Sequence, residues 1–137
     1  MNQNTKKHLT RKKDASAPIL KYLGIRVKKQ NRGIALLTLK VQKKHCNSIG
    51  SIHGGVLCDI SDAAMGCAFT SLLKKDELGV TVEFKINFLR PVLPGDNIKA
   101  HARVISRGNS LYFVESEVRN GKGLLVAKAA STCKVLA

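Results

Sequence analysis

The 137-residue sequence contains no tryptophan, and aromatic residues make up only 4% of it. Its core must therefore rest on Val, Ile, Leu and Ala, and a surface that stacks nucleobases on rings is hard to assemble. Acidic residues are scarce as well, with 9 Asp and Glu against 24 Lys and Arg for a formal net charge of +15. No apolar run approaches the ~20 residues of a membrane-spanning helix. The opening residues, MNQNTKKHLTRKKDAS, have no apolar h-region and so no secretory signal. There is no GxSxG elbow and no RNA-recognition or zinc motif.

Four cysteines, Cys46, Cys58, Cys67 and Cys133, show no CxxC spacing, and no histidine cluster completes a metal site. Cys58 and Cys67 fall on one expected helix, ~13 Å apart along its axis, beyond disulfide reach. All four read as small buried hydrophobes in a reducing, cytoplasmic setting.

A hydrophobic fraction of 44% is enough for a true core. The length suits a single domain over residues 17–137, behind a basic tail at 1–16. In that tail Lys6, Lys7, Arg11, Lys12 and Lys13 repel one another, so it is expected to be disordered, as an electrostatic arm or a solvated leader. A charge of +15 calls for an anionic partner or a steering field. Composition leaves nucleic acid, anionic lipid and a polyphosphate ligand all open.

Pro18 and Gly24 bracket a short helix at Ile19–Leu23. Strands follow over 25–29 and 33–41, with Asn31-Arg32-Gly33 as the hairpin turn. After a polar loop, a helix is predicted over 54–73, and four strands over 80–89, 96–106, 111–119 and 124–135. One long helix and about six strands make an α+β domain with a single helical layer. The other face of the sheet is then expected to be covered by a second protomer.

The long helix is only weakly amphipathic. At ~100° per residue, Val56, Leu57, Ile60, Ala63, Ala64, Cys67 and Ala68 share one half, and Cys58, Asp59, Asp62, Met65, Gly66 and Phe69 the other. Small and apolar residues around Asp62 suggest that it is buried or in a cleft. On spacing alone a carboxylate satisfied by a loop N–H or an arginine is the simpler reading. Asp59, nearer the edge, fits a solvated or capping role. Ahead of the helix, His53-Gly54-Gly55 leaves backbone N–H groups open at the positive end of the helix dipole, which suits an oxyanion. Asp62 lies about two turns beyond Gly54, ~12 Å along the axis. Two such groups acting on one bond would have to come from two chains.

Asn47-x-x-Gly50-x-x-His53-Gly54-Gly55, followed by Asp62-Ala63-Ala64-x-Gly66, resembles the signature of hot-dog-fold acyl-CoA thioesterases. The nearest group is the PaaI-like, phenylacetate-pathway branch of the 4-hydroxybenzoyl-CoA thioesterase superfamily. Val80 to Pro91, Pro94-Gly95-Asp96 and Arg107-Gly108-Asn109 extend the likeness across about residues 18–136. The resemblance implies a long central helix wrapped by an antiparallel sheet of about six strands, with a short N-terminal helix. It also implies homodimers paired into homotetramers, and hydrolysis by water without a metal or redox cofactor. Carried onto this chain, Asp62 is the general base or nucleophile, the Gly54 N–H polarises the thioester carbonyl, Asn47 and His53 shape that pocket, and Thr81 positions water. Gly55, Val56, Val82, Arg90, Arg107, Gly108 and Asn109 are the expected substrate and coenzyme A contacts. Lys99, with Arg90 and Arg107, is a candidate for the phosphates. His45 and His101 are read as ordinary polar positions.

Three other readings compete with hydrolysis, of which a hot-dog dehydratase would need an Asp/His pair at a different spacing that this sequence does not show. The same fold can serve as a non-catalytic acyl-CoA-binding or sensing protein, although a 16-residue tail is too short for a helix-turn-helix. A charge-driven nucleic-acid binder would lack stacking rings, so no nucleic-acid partner is expected.

Overall fold

The computed structural model describes residues 2–9 and 17–136. Residues 1 and 10–16, half of the tail expected to be disordered, lie outside this range. Gln3–His8 forms a short helix, α1, which no sequence period announces. The domain proper begins with α2 (Pro18–Leu23), whose N-terminal proline and left-handed Gly24 are the expected start and stop.

Six strands form one antiparallel sheet: β1 (Arg26–Asn31), β2 (Ile34–Lys40), β3 (Leu78–Phe88), β4 (Asn97–Arg107), β5 (Leu111–Arg119) and β6 (Leu125–Leu136). Their order is β1-β2-β4-β5-β6-β3, which leaves β1 and the long β3 as edges. Arg32 and Gly33, at φ 49° and 78°, make the tight β1–β2 turn. That turn is tied to the helical layer, because the Gly33 N–H donates to Ser71 Oγ at 2.7 Å.

The main helix, α3 (Gly54–Thr70), lies across the concave face of the sheet. Leu57, Ile60, Ser61, Ala64, Met65 and Ala68 recur at three- and four-residue steps and are buried. They meet Leu37, Leu39, Ile98, Ala100, Val114, Val118 and Val126 in one core. Phe69 closes the C-terminal end, edge-on to Tyr112 with ring centroids 4.9 Å apart. A Cβ at Gly79 would overlap the Phe69 ring and stand 3.1 Å from Leu73 Cδ1, so β3 passes this point only as glycine.

Two expectations change. Met65 and Phe69, placed with Asp62 on the helical wheel, are buried at 0% and 1% exposure, so the core reaches round to the half of α3 that carries Asp62. The outer face of the sheet carries the Arg119–Glu117 and Lys128–Glu115 ion pairs. Ile34 and Phe113 are exposed on the same face, so it presents apolar as well as charged surface. Finally, Cys46 and Cys58 are only half-buried, although all four thiols are free.

Strand β3 also carries an irregularity against β6. Thr81 pairs with Cys133 and Glu83 with Thr132, leaving Val82 as an extra residue.

Candidate active site

Asp62 projects from the middle of α3 and is exposed in the single chain. The expectation of burial is thus not met: the chain's own sheet covers one face of α3, and Cys58, Asp62 and Gly66 lie on the other. Thr81 Oγ1 donates to Asp62 Oδ1 at 2.9 Å. Oδ2 has no hydrogen-bond partner among the described residues, so one oxygen of the carboxylate is oriented and the other left open. Beneath Thr81, its hydroxyl oxygen lies 3.9 Å from Cys133 Sγ. Cys133 is completely buried, and burial is the main influence that raises its thiol pKa. Kept protonated, it can donate toward Thr81 while Thr81 donates to Asp62.

The neighbouring groups on α3 bear on that carboxylate. Burial, and then the charge of Asp62, raise the Asp59 carboxyl above its usual range. Burial, followed by Asp59 and Asp62, also raises the Cys58 thiol. A thiol held neutral is a poor nucleophile, so Cys58 offers no competing thiolate on this face.

The second part of the site is the N-terminus of α3. His53 is the N-cap, and its Nδ1 accepts the Gly55 N–H at 2.8 Å. A cap of this kind contributes about 1 kcal/mol. It also occupies the Gly55 N–H, whereas the Gly54 N–H has no partner among the described residues. Gly54 is therefore the free donor at the positive end of the helix. Asn47 organises the loop in front of it, with Oδ1 accepting the N–H groups of Ile49 and Ser51 and Nδ2 donating to Ser51 Oγ.

A groove of about 390 Å³ opens here, lined by Asn47, Gly54, Leu57, Phe88, Arg90 and Pro91 among others. The Phe88 ring lies over Gly54, where an added Cβ would stand 3.1 Å from Cζ. Arg90 Nη1 donates to the Leu125 carbonyl at 2.8 Å, which anchors it beside the groove.

The expected residues thus fall into two groups. Asn47, His53, Gly54, Gly55, Val56 and Arg90 gather at the N-terminal end of α3. Asp62 and Thr81 meet about two helical turns away. Val82 is exposed on the free edge of β3. Arg107, Gly108 and Asn109 sit at the β4–β5 turn, where Arg107 Nε donates to Tyr112 Oη at 2.8 Å and the Gly108 N–H to the Leu111 carbonyl. Tyr112 and Thr81 both pair with Cys133, which puts that turn at the Thr81 end of the sheet. Lys99 and His101 are exposed on the outer face. His45 is no ordinary polar position: it is buried, Nδ1 accepts the Gln42 N–H, and Nε2 lies 2.7 Å from the Leu23 carbonyl. It pins α2 to the loop before the site. Cys133 was missed as a neighbour of the site, because nothing local in the sequence relates it to Thr81 at 52 residues' separation.

Among known proteins, the family pattern of the thioesterase superfamily matches residues 49–127. Human acyl-coenzyme A thioesterase 13 (Homo sapiens) is 29% identical over 101 residues, covering 73% of this chain and 71% of its own. The PaaI protein of the E. coli phenylacetic acid degradation operon superposes with a TM-score of 0.83 at 28% identity, over 89% of this chain and 86% of that one. A hypothetical thioesterase of Streptococcus pneumoniae, solved with coenzyme A, gives 0.77 at 26% identity, over 82% and 86% of the two chains. The sheet wrapped on α3, the loop from Asn47 to Gly55 and the family match agree: this chain belongs to the thioesterase superfamily and is a hot-dog-fold thioesterase.

Proposed function

We propose that the protein hydrolyses acyl-coenzyme A thioesters to the free acid and coenzyme A, with Asp62 activating the attacking water. The observation that carries this reading is the Thr81–Asp62 hydrogen bond, which leaves Oδ2 open to accept a proton. Water oxygen attacks the thioester carbonyl carbon as its proton passes to Asp62. The carbonyl oxygen becomes an oxyanion held by the Gly54 N–H, and its collapse breaks the C–S bond. The leaving thiolate takes a proton, and the acid is released. A carboxylate base and one oriented amide donor each supply ~10²-fold or more, so the scheme needs no metal or redox cofactor. The coenzyme A seen with the streptococcal relative and the name of the human one support the substrate class.

In this reading the two groups meet across a homodimer. Edge strand β3 joins its counterpart, the partner covers the open face of α3, and Asp62 of one chain faces the Gly54 N–H of the other. Pairs of dimers would complete a homotetramer. Arg90 on one side, and Arg107 with Gly108 and Asn109 on the other, are the proposed contacts for the nucleotide end of coenzyme A.

The test is a panel of acyl-CoAs with a thiol-trapping dye, run on the native protein, Asp62→Asn and Asp62→Ala. Thiol release that drops ~10²-fold or more in both variants supports the assignment. Full activity in Asp62→Asn removes Asp62 from the mechanism. Binding without release by the native protein leaves a non-catalytic acyl-CoA sensor as the answer.

A further inference from the structure

The positive charge is concentrated in one part of the chain. Residues 1–58 hold thirteen Lys and Arg and a single acid, Asp14, whereas residues 59–137 hold eleven against eight. Eight of the thirteen belong to the folded domain, all exposed. None of the eight is ion-paired among the described residues, where the ion pairs all involve Glu115 or Glu117 on the outer face of the sheet.

The fold brings six of these eight cations to one flank. Helix α2, carrying Lys21, runs directly into edge strand β1, carrying Arg26, Lys28 and Lys29. The 3-10 turn Lys43–His45 is latched onto α2 by His45 Nε2 at 2.7 Å from the Leu23 carbonyl and by Lys44 Nζ donating to the Tyr22 carbonyl at 3.4 Å. Amid this charge two apolar side chains point outward from one face of α2: Tyr22, 78% exposed, and Ile19, 51% exposed.

We propose that this flank, α2 with the Lys43–His45 turn and strand β1, docks the protein onto an anionic lipid membrane. Lysine supplies five of the flank's six cations, and a compact ammonium suits the diffuse field of a charged lipid surface. Tyr22 and Ile19 present the ring-with-hydroxyl and aliphatic pair that settles at headgroup depth. A nucleic acid would favour arginine forks and several stacking rings, and the flank offers one arginine and one ring. The five further cations before residue 14 extend the same charge along the sequence leading into α2. The flank shares no residue with the Asp62 and Gly54 site, so docking and hydrolysis are separable.

The experiment is flotation of the full chain with vesicles of phosphatidylcholine alone, or with about 30% phosphatidylserine to set a negative surface. Labelled duplex DNA at the same salt is the rival arm. Binding is expected only to the anionic vesicles, weakening about tenfold or more from 0.1 to 0.5 M salt as the Debye length shrinks. The combined variant Arg26→Glu, Lys28→Glu, Lys29→Glu and Tyr22→Ser should lose about tenfold or more of that binding. Its melting curve should be unchanged, since all four side chains are exposed. Equal binding to both vesicle types, full retention by the variant, or capture of DNA without capture of anionic vesicles overturns the proposal.

Discussion

Thr81 Oγ1 gives its only hydrogen to Asp62 Oδ1 at 2.9 Å, joining edge strand β3 to the middle of α3. That bond orients the carboxylate and is satisfied by any hydroxyl at this point. Thr81→Ser should keep most of the hydrolytic rate, whereas Thr81→Val should lower kcat about tenfold with little change in KM. Steady-state thiol release separates the two; a Val variant as fast as the native protein would free Thr81 from any role.

Gly54 allows an unusually clean removal of one N–H. It is the first residue of α3, where proline is well tolerated, and His53 before it already has the extended ψ of 135° that proline demands. Gly54→Pro should therefore fold and lose ~10²-fold or more in kcat. Gly54→Ala crowds Phe88 in a similar way but keeps the donor, and should be far more active.

Gly54→Pro, together with Asp62→Ala, also tests the shared site. Mixed after dissociation, Asp62→Ala and Gly54→Pro chains that reassociate at random should recover about a quarter of the native rate, because each mixed dimer rebuilds one of its two sites. No recovery means that both groups act within one chain.

Gly79→Ala presses a methyl group into the Phe69 ring and Leu73. Overpacking of this kind costs about 1–3 kcal/mol, read as a lower Tm.

The raised Asp59 carboxyl sets a pH dependence. Because the folded state holds this proton more tightly than the unfolded chain, Asp59 adds stability below its ordinary value of 3.8. That contribution is lost as pH rises through the higher folded value, and above it the ionised group, repelled by Asp62, is a small cost. Asp59→Asn should raise Tm at pH 7 by about 1–2 °C, with the difference closing on acidification. A gap that widens in acid contradicts the assignment.

Most of the architecture was legible from short-range signals. Pro18 and Gly24 bound α2, Arg32-Gly33 makes the β1–β2 turn, and each long strand starts and ends within about two residues of its expected place. The His53-Gly54-Gly55 and Asp62 pattern marked the two groups that make up the proposed site. The exposure of Asp62 was not legible, since small residues around a carboxylate look alike whether a face is covered by its own chain or by a partner. Nor could spacing show Met65 and Phe69 turning inward, because the curl of the sheet decides how much of α3 it wraps. The links from Thr81 to Cys133 and from His45 to Leu23 join distant segments, and only the folded chain reveals them.

Val82, the extra residue in β3, has a consequence for alternation. Along a regular strand, side chains an odd number of positions apart point to opposite faces. Thr81 and Phe88 are seven apart, yet Thr81 reaches Asp62 and Phe88 covers Gly54, both on the helix side. The inserted residue resets the phase between them. Deleting Val82 would keep both Thr81 and Phe88 in the sequence and still turn one of the two contacts outward, so the proposed site depends on the parity of this strand as much as on its composition.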